Sequence, residues 1–322
     1  MVLVVAGCGP SGTSLSASST PNRSAETIPA RSRLIVATTA APLTSIVSAM
    51  GGDLIFINGL ALEDPTKELA VSNRKTNAEI IRLGNRVLPE DRWIFDISFP
   101  REGGKPNPHL WTNPPMVKQD ADVVRNELSL RDLAHATSYH ENTVRFAAAV
   151  DALDTAMRTS FATLTIDRRK LVTSHDADAY FALEYGWTVI GAIQPSDFDE
   201  PSPKDVAELI DQVRTEQVPA ISGSEVLPSP VLEQIAREAG VRYVDTLRDD
   251  DLPGSPGDAD HSLLALLRLD YVTIVRALGG DASALRALDL TPSVPDPATY
   301  PSERAGGGGS RWCVGALSRC RR

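Results

Sequence analysis

The sequence contains few aromatic residues and few cysteines. Phe, Trp and Tyr make up 5% of its 322 residues, whereas hydrophobic residues of all kinds make up 42%. Any core must therefore be built mainly from Ala, Val, Leu and Ile. Of the three cysteines, Cys313 and Cys320 could pair with each other, and no His or further Cys near them completes a zinc knuckle. No apolar run reaches the ~18 residues of a membrane span. The length suits two domains of ordinary size.

The chain also has fewer positively charged than negatively charged residues. The chain has 32 Lys and Arg against 42 Asp and Glu, which gives a formal net charge of −10. Proteins that bind nucleic acids need a basic surface, so this balance argues against a nucleic-acid partner. It is compatible with the attraction of cations.

The N-terminus resembles the lipobox of a bacterial lipoprotein. Small residues precede Cys8 in VVAGC, and the chain from there to Ser32 is rich in Ser, Thr, Pro and Ala, a composition that solvates rather than packs. The basic region and the longer apolar stretch of a full secretory signal are not seen. We predict that residues 1–32 are a truncated lipoprotein signal and a flexible tether, with Cys8 as the lipidated residue. Cys313 and Cys320 lie in a Gly-rich C-terminal segment that we expect to be disordered.

Hydrophobic patterning predicts alternating strands and helices. Two β-rich segments, 33–40 and 53–60, flank an apolar helical pattern over Leu43–Met50, and such a βαβ unit implies a parallel sheet covered by helices. The segment 78–83 has a helical pattern, and Pro115 is expected to begin a helix over 116–128. After residue 168 the alternation resumes, with strands predicted at 169–174, 187–193, 218–223 and 241–246.

The longest helical signal runs from His140 to Leu164, where apolar residues recur at spacings of three and four. Such a helix is roughly 35 Å long at 1.5 Å per residue, enough to brace two domains. We therefore predict an α/β fold with two lobes, each a parallel sheet flanked by helices, joined by one long rigid helix. The expected boundaries are 33–135 for the N-terminal lobe, 136–164 for the linking helix, 165–285 for the C-terminal lobe and 286–322 for the disordered tail.

Three loop residues have side chains suited to metal binding. His109 lies in GGKPNPHLWTNPP, where four prolines restrict the backbone. His175 follows the predicted strand 169–174, and Asp258 lies in the Gly-Pro loop after 241–246, where ligands of parallel sheets bind. Two imidazoles and a carboxylate suit zinc or manganese better than magnesium or calcium. Taken singly, each residue is equally compatible with an ordinary loop position.

Six segments together resemble the metal-binding solute-binding lipoproteins of zinc and manganese ABC transporters. The resemblance runs from about Arg33 to Leu278 and holds for the order of the segments along the chain as well as for their residues. It implies two lobes that enclose one ion, with His109, His175 and Asp258 as metal ligands. A His at position 175 favours zinc, whereas Glu would favour manganese. The segments are IVATTAAPLTSIVSAMGGD, DLIFINGLALE, NPHLWTNP, RRKLVTSHDADAYFALEYG, GSEVLPSPVLEQIAREAGV and PGDADHSLLALLRLD.

The chain departs from the family pattern after Asp53. Family members carry a strand, a loop with the first His ligand and a helix between GGD and DLIFINGL, and in this sequence no His precedes His109. The resemblance therefore implies that the first ligand is missing. A water, a second-sphere residue or His261 could fill its place, although His261 is better interpreted as a helix-start residue. His135 and His140 are spaced by five, do not share a helical face and are expected at the surface.

The leading hypothesis is an extracytoplasmic, lipid-anchored monomer. It would capture Zn²⁺, with Mn²⁺ as the alternative, and deliver it to an ABC transporter permease in the membrane. One alternative is a truncated paralogue with weak or no metal binding. A metal-dependent hydrolase is the least favoured alternative, because the chain has no H-E-x-x-H motif to supply a general base beside the metal.

Overall fold

The computed structural model describes residues 2–4, 35–38, 54–63, 79–192, 202–224, 229–248 and 251–292. Within these ranges strands and helices alternate strictly from Lys170 to Ala277, as expected for an α/β fold. The predicted helix at 43–50, the predicted lipidation residue Cys8, the junction at Asp53 and the two C-terminal cysteines lie outside the described residues.

The N-terminal lobe contains a four-stranded sheet. In spatial order its strands are β1 (Val2–Val4), β2 (Ile35–Thr38), β3 (Ile55–Ile57) and β4 (Ile80–Arg82). The strand β1 lies in the segment predicted as a signal and is antiparallel to β2, while the other pairs are parallel.

The helix predicted at 78–83 is wrong. That segment contains β4, and the short helix α1 (Leu83–Val87) begins directly after it. Two consecutive β-branched residues, Ile80 and Ile81, favour a strand, and β3 provides a parallel partner beside which Ile81 is buried.

Two long helices follow the histidine-bearing loop and pack against each other. The helix α2 (Pro114–Arg131) starts one residue before Pro115, the predicted first residue. The Asn113 side chain caps it by accepting a hydrogen bond from the backbone N of Met116, and proline suits the first turn because it has no N–H that needs a partner. The helix α3 (Ala136–Phe161) has 26 residues, which is about 39 Å at 1.5 Å per residue.

The C-terminal lobe holds two parallel strand pairs, β5 (Lys170–Thr173) with β6 (Thr188–Ala192), and β7 (Ala220–Ser224) with β8 (Arg242–Leu247). Helices alternate with these strands. Serines cap three of them, and at one of these caps Ser202 and Asp205 form a full capping box. The described helices from Ala179 to Ala277 are α4 (Ala179–Tyr185), α5 (Pro203–Thr215), α6 (Pro230–Ala239) and α7 (Leu263–Ala277).

One hydrophobic core extends through both lobes along α3, and a second lies within the β5–β8 region. The first includes Leu290, which is 6% exposed and follows the short helix α8 (Ser283–Arg286). The tail predicted from 286 therefore begins too early, because this stretch supplies an apolar side chain to the core. Among the described helices, none combines the length and the apolar character needed to cross a membrane.

Candidate metal site

Two of the three predicted metal ligands lie side by side. The Nε2 atoms of His109 and His175 are 3.3 Å apart, although 66 residues separate them in the chain. Both side chains are buried, at 4% and 5% exposure. His109 comes from the Pro-rich loop before α2, and His175 from the loop after β5. The structure thus places imidazole nitrogens from opposite lobes next to each other.

The His109 loop is held in place by hydrogen bonds on both sides of the histidine. Asn58, at the end of β3, donates to the carbonyl of Pro108 at 2.9 Å. The Thr112 hydroxyl lies within bonding distance of the carbonyl oxygens of His109 and Ala177, at 3.0 and 3.1 Å. Together with the prolines, these contacts leave the loop little freedom.

Asn107 determines which nitrogen of His109 carries the proton. Its Nδ2 lies 2.8 Å from Oδ2 of Asp96 and 2.7 Å from the carbonyl oxygen of Asp176. Both are acceptors, so the amide oxygen must face His109, where it lies 2.9 Å from the backbone N and 2.9 Å from Nδ1. The Nδ1 of His109 therefore donates, and in the neutral ring Nε2 presents its lone pair towards His175.

The surroundings keep His109 neutral. Burial lowers the pKa of His109 well below its ordinary value, and the positive charge of a protonated His175 lowers it further. Coordination requires a neutral imidazole. Next to the pair, burial raises the pKa of Asp176 to about 7, with a further contribution from Asp96 and Asp178. The site thus combines the neutral imidazole of His109 with nearby carboxyl groups.

Asp258 does not join the histidine pair in this structure. Its Oδ2 accepts a hydrogen bond from the backbone N of Ser255 at 2.7 Å, within its own exposed loop. Across the described ranges, no three or more His, Cys, Asp or Glu side chains are grouped so that they could hold a metal ion. The predicted three-ligand set is therefore not assembled here, and the ligand role of Asp258 stays a prediction.

The remaining histidines lie elsewhere. His261 is buried and its Nδ1 lies 3.0 Å from the carbonyl oxygen of Pro253. It precedes the N-cap of α7, which is Ser262. His135 and His140 are exposed, as expected from their spacing.

Sequence reasoning missed the polar contacts that join the two lobes around the histidines. Besides the Asn107 amide, the Ser98 hydroxyl accepts from the backbone N of Asp176 at 3.0 Å, and Asn113 donates to the carbonyl of Tyr180 at 3.0 Å. Tyr271 donates to the carbonyl of Thr112 at 2.8 Å. The only local signal was the position of Asn107, two residues before His109 in Asn-Pro-His.

Known proteins match this chain over most of its length. A family model described as the periplasmic component A of a zinc-uptake complex, ZnuA, matches residues 36–277. The iron-binding protein YfeA of Yersinia pestis is 27% identical over 237 residues, which is 73% of each chain. The manganese-binding lipoprotein MntA of Bacillus subtilis is 26% identical over 236 residues, which is 71% of this chain and 74% of MntA.

Solved structures show the same fold. The periplasmic zinc-binding protein TroA of Treponema pallidum superposes with a TM-score of 0.66 at 21% identity, covering 76% of this chain and 98% of TroA. At that identity the likeness bears on the fold alone. The family model covers well over half of the chain, and its members are substrate-binding proteins rather than enzymes. The chain therefore belongs to the ZnuA family, the metal-binding periplasmic solute-binding proteins of ABC transporters.

Proposed function

We propose that this protein captures zinc, with manganese as the alternative, and delivers it to the permease of an ABC transporter. The supporting observation is the 3.3 Å separation of the Nε2 atoms of His109 and His175. Two nitrogen ligands at ~2.0–2.1 Å from a tetrahedral zinc ion lie about 3.3–3.4 Å from each other. The pair has this spacing without any movement of the rings.

The names of the relatives do not select the metal, because they include iron, manganese and zinc binders. The ligand chemistry favours zinc. Imidazole suits zinc, whereas manganese prefers carboxylate, carbonyl and water oxygens. With His at position 175, two of the proposed ligands are nitrogens and one, Asp258, supplies oxygen. Asp258 would have to exchange its bond to Ser255 for the metal, and water would complete the shell.

We further propose that the protein acts as a monomer outside the cytoplasm and is lipid-anchored through Cys8. The support is the VVAGC stretch together with the lipoprotein names of relatives such as MntA. A single acyl chain gives only marginal membrane binding, so a stable anchor needs several chains on this cysteine.

A weak or non-binding paralogue is the second candidate. The observation in its favour is that the described residues bring together two ligands and not three. A site with two protein ligands holds zinc less tightly than the three or four ligands usual in zinc proteins.

A zinc titration separates these candidates. The purified protein competes with a chromogenic chelator for zinc, and the measurement is repeated with His109→Ala, His175→Ala and Asp258→Ala. We expect each histidine substitution to reduce the affinity by tenfold or more and Asp258→Ala to reduce it less. His135→Ala and His140→Ala are matched controls, because both histidines are exposed. If His109→Ala and His175→Ala both bind zinc with the wild-type affinity, the proposed site is refuted. If the wild type binds no zinc, the result favours the weak or non-binding paralogue.

A further inference from the structure

We propose that Asn107 is a positioning residue that both orients His109 for the metal and ties the two lobes together at the site. The proposal rests on the function proposed above, since it concerns the same histidine pair. Asn107 is fully buried, with 0% of its surface exposed. Its amide makes all four hydrogen bonds that an asparagine side chain allows, two through Oδ1 and two through Nδ2.

The oxygen side of the amide acts on the ligand ring. Oδ1 accepts from the backbone N and from Nδ1 of His109, both at 2.9 Å. The second bond fixes the tilt of the ring and keeps the proton on Nδ1, so that Nε2 stays available for a metal. Without this acceptor the proton is free to move to Nε2, where it would block the nitrogen that faces His175.

The nitrogen side of the amide acts on the opposite lobe. Nδ2 donates at 2.7 Å to the carbonyl of Asp176, which is 69 residues away in the chain and directly follows His175. The second bond of Nδ2 goes to Asp96 at 2.8 Å. Asp96 is itself held in place, because its other oxygen accepts from the backbone N atoms of Ser98 and Phe99, so this bond restricts the orientation of the Asn107 amide. The Asn107 amide therefore fixes the His109 ring relative to the main chain next to His175.

Two substitutions separate the two roles. Asn107→Ala removes the acceptor and both donors. Asn107→Asp keeps an oxygen towards His109 but loses the donors and places a second carboxylate against Asp96. Asn113→Ala is the matched control, because Asn113 is also buried, lies in the same loop and bridges to the opposite lobe through Tyr180, while its oxygen accepts from Met116.

The first readout is the tautomer of His109 in the metal-free protein, measured by NMR of ¹⁵N-labelled histidine. The His109 signal is assigned by its loss in His109→Gln. We expect the Nδ1-protonated form in the wild type, in Asn107→Asp and in Asn113→Ala, and a mixture or the Nε2-protonated form in Asn107→Ala. A residue with a purely structural role would not move this equilibrium.

The second readout is zinc affinity, and the third is hydrogen exchange of the backbone amide of Asp176. Partners that orient metal ligands typically contribute 10–100-fold to affinity, so we expect Asn107→Ala to lose affinity in that range, and Asn107→Asp and Asn113→Ala to lose less. Exchange at Asp176 should rise in both Asn107 variants. Circular dichroism is used to check that each variant is folded.

The outcomes are distinct. If folded Asn107→Ala keeps the wild-type tautomer and zinc affinity, the positioning role is overturned. If Asn113→Ala loses as much affinity as Asn107→Ala, the effect belongs to lobe bridging in general and the role is again overturned. If the wild type binds no zinc while the tautomer still changes in Asn107→Ala, the metal-binding proposal fails and the orienting bond is upheld.

Discussion

Asp120 gives a direct test of how a buried carboxyl group affects the stability of this protein. It lies on α2, is 2% exposed, and within the described residues its Oδ1 has no hydrogen-bond partner. Burial raises its pKa from 3.8 to about 8, because the charged form is the more costly to remove from water.

The sign of the pH effect follows from this shift. Below pH 3.8 the carboxyl group is protonated in both the folded and the unfolded protein. Between about pH 4 and pH 8 the unfolded chain releases the proton and the folded chain keeps it, so the free energy of unfolding falls by up to about 1.4 kcal/mol per pH unit. A shift of roughly four units corresponds to a loss on the order of 5 kcal/mol at pH 8.

We expect Asp120→Asn to remove this pH-dependent loss of stability. The free energy of unfolding, measured by urea denaturation followed by circular dichroism at pH 5, 6, 7 and 8, should fall less steeply with pH in Asp120→Asn than in the wild type. The variant should be the more stable protein at pH 8. Asp122→Asn is the control, because Asp122 is exposed on the same helix, and it should keep the wild-type slope. An Asp120→Asn variant with the wild-type slope would refute the reasoning.

Two further predictions concern the membrane anchor and the core. Cys8→Ser should release the protein from the membrane into the medium, as judged by fractionation and immunoblotting, and equal retention of variant and wild type would argue against lipidation. Phe161 is 2% exposed and packs edge-on against the rings of Phe181, Tyr185, Trp187 and Tyr271, so Phe161→Ala should lower the free energy of unfolding by about 3–5 kcal/mol. Phe161→Leu should cost less, and an equal loss in both variants would contradict the cavity argument.

Local signals in the sequence were sufficient for most of the described strands and helices. Strand β5, for example, follows from the apolar run in RKLVTS, and α5 from the Ser202–Asp205 capping signal and the apolar face behind it. Such patterns act over a few residues, so they can be recognised without a partner. The local pattern gave the wrong structure for 78–83, because the strand in this segment pairs with β3, more than twenty residues earlier in the chain.

The sequence also located His109 and His175 as candidate ligands, because one lies in a proline-restricted loop and the other at the end of a predicted strand. Only the tertiary structure could bring their Nε2 atoms to 3.3 Å, since that distance depends on how the two lobes pack. The same holds for the four bonds of Asn107, two of which reach other segments of the chain. The bond of Asp258 to Ser255 and the burial of Asp120 likewise depend on side-chain direction, which residue type and spacing leave open.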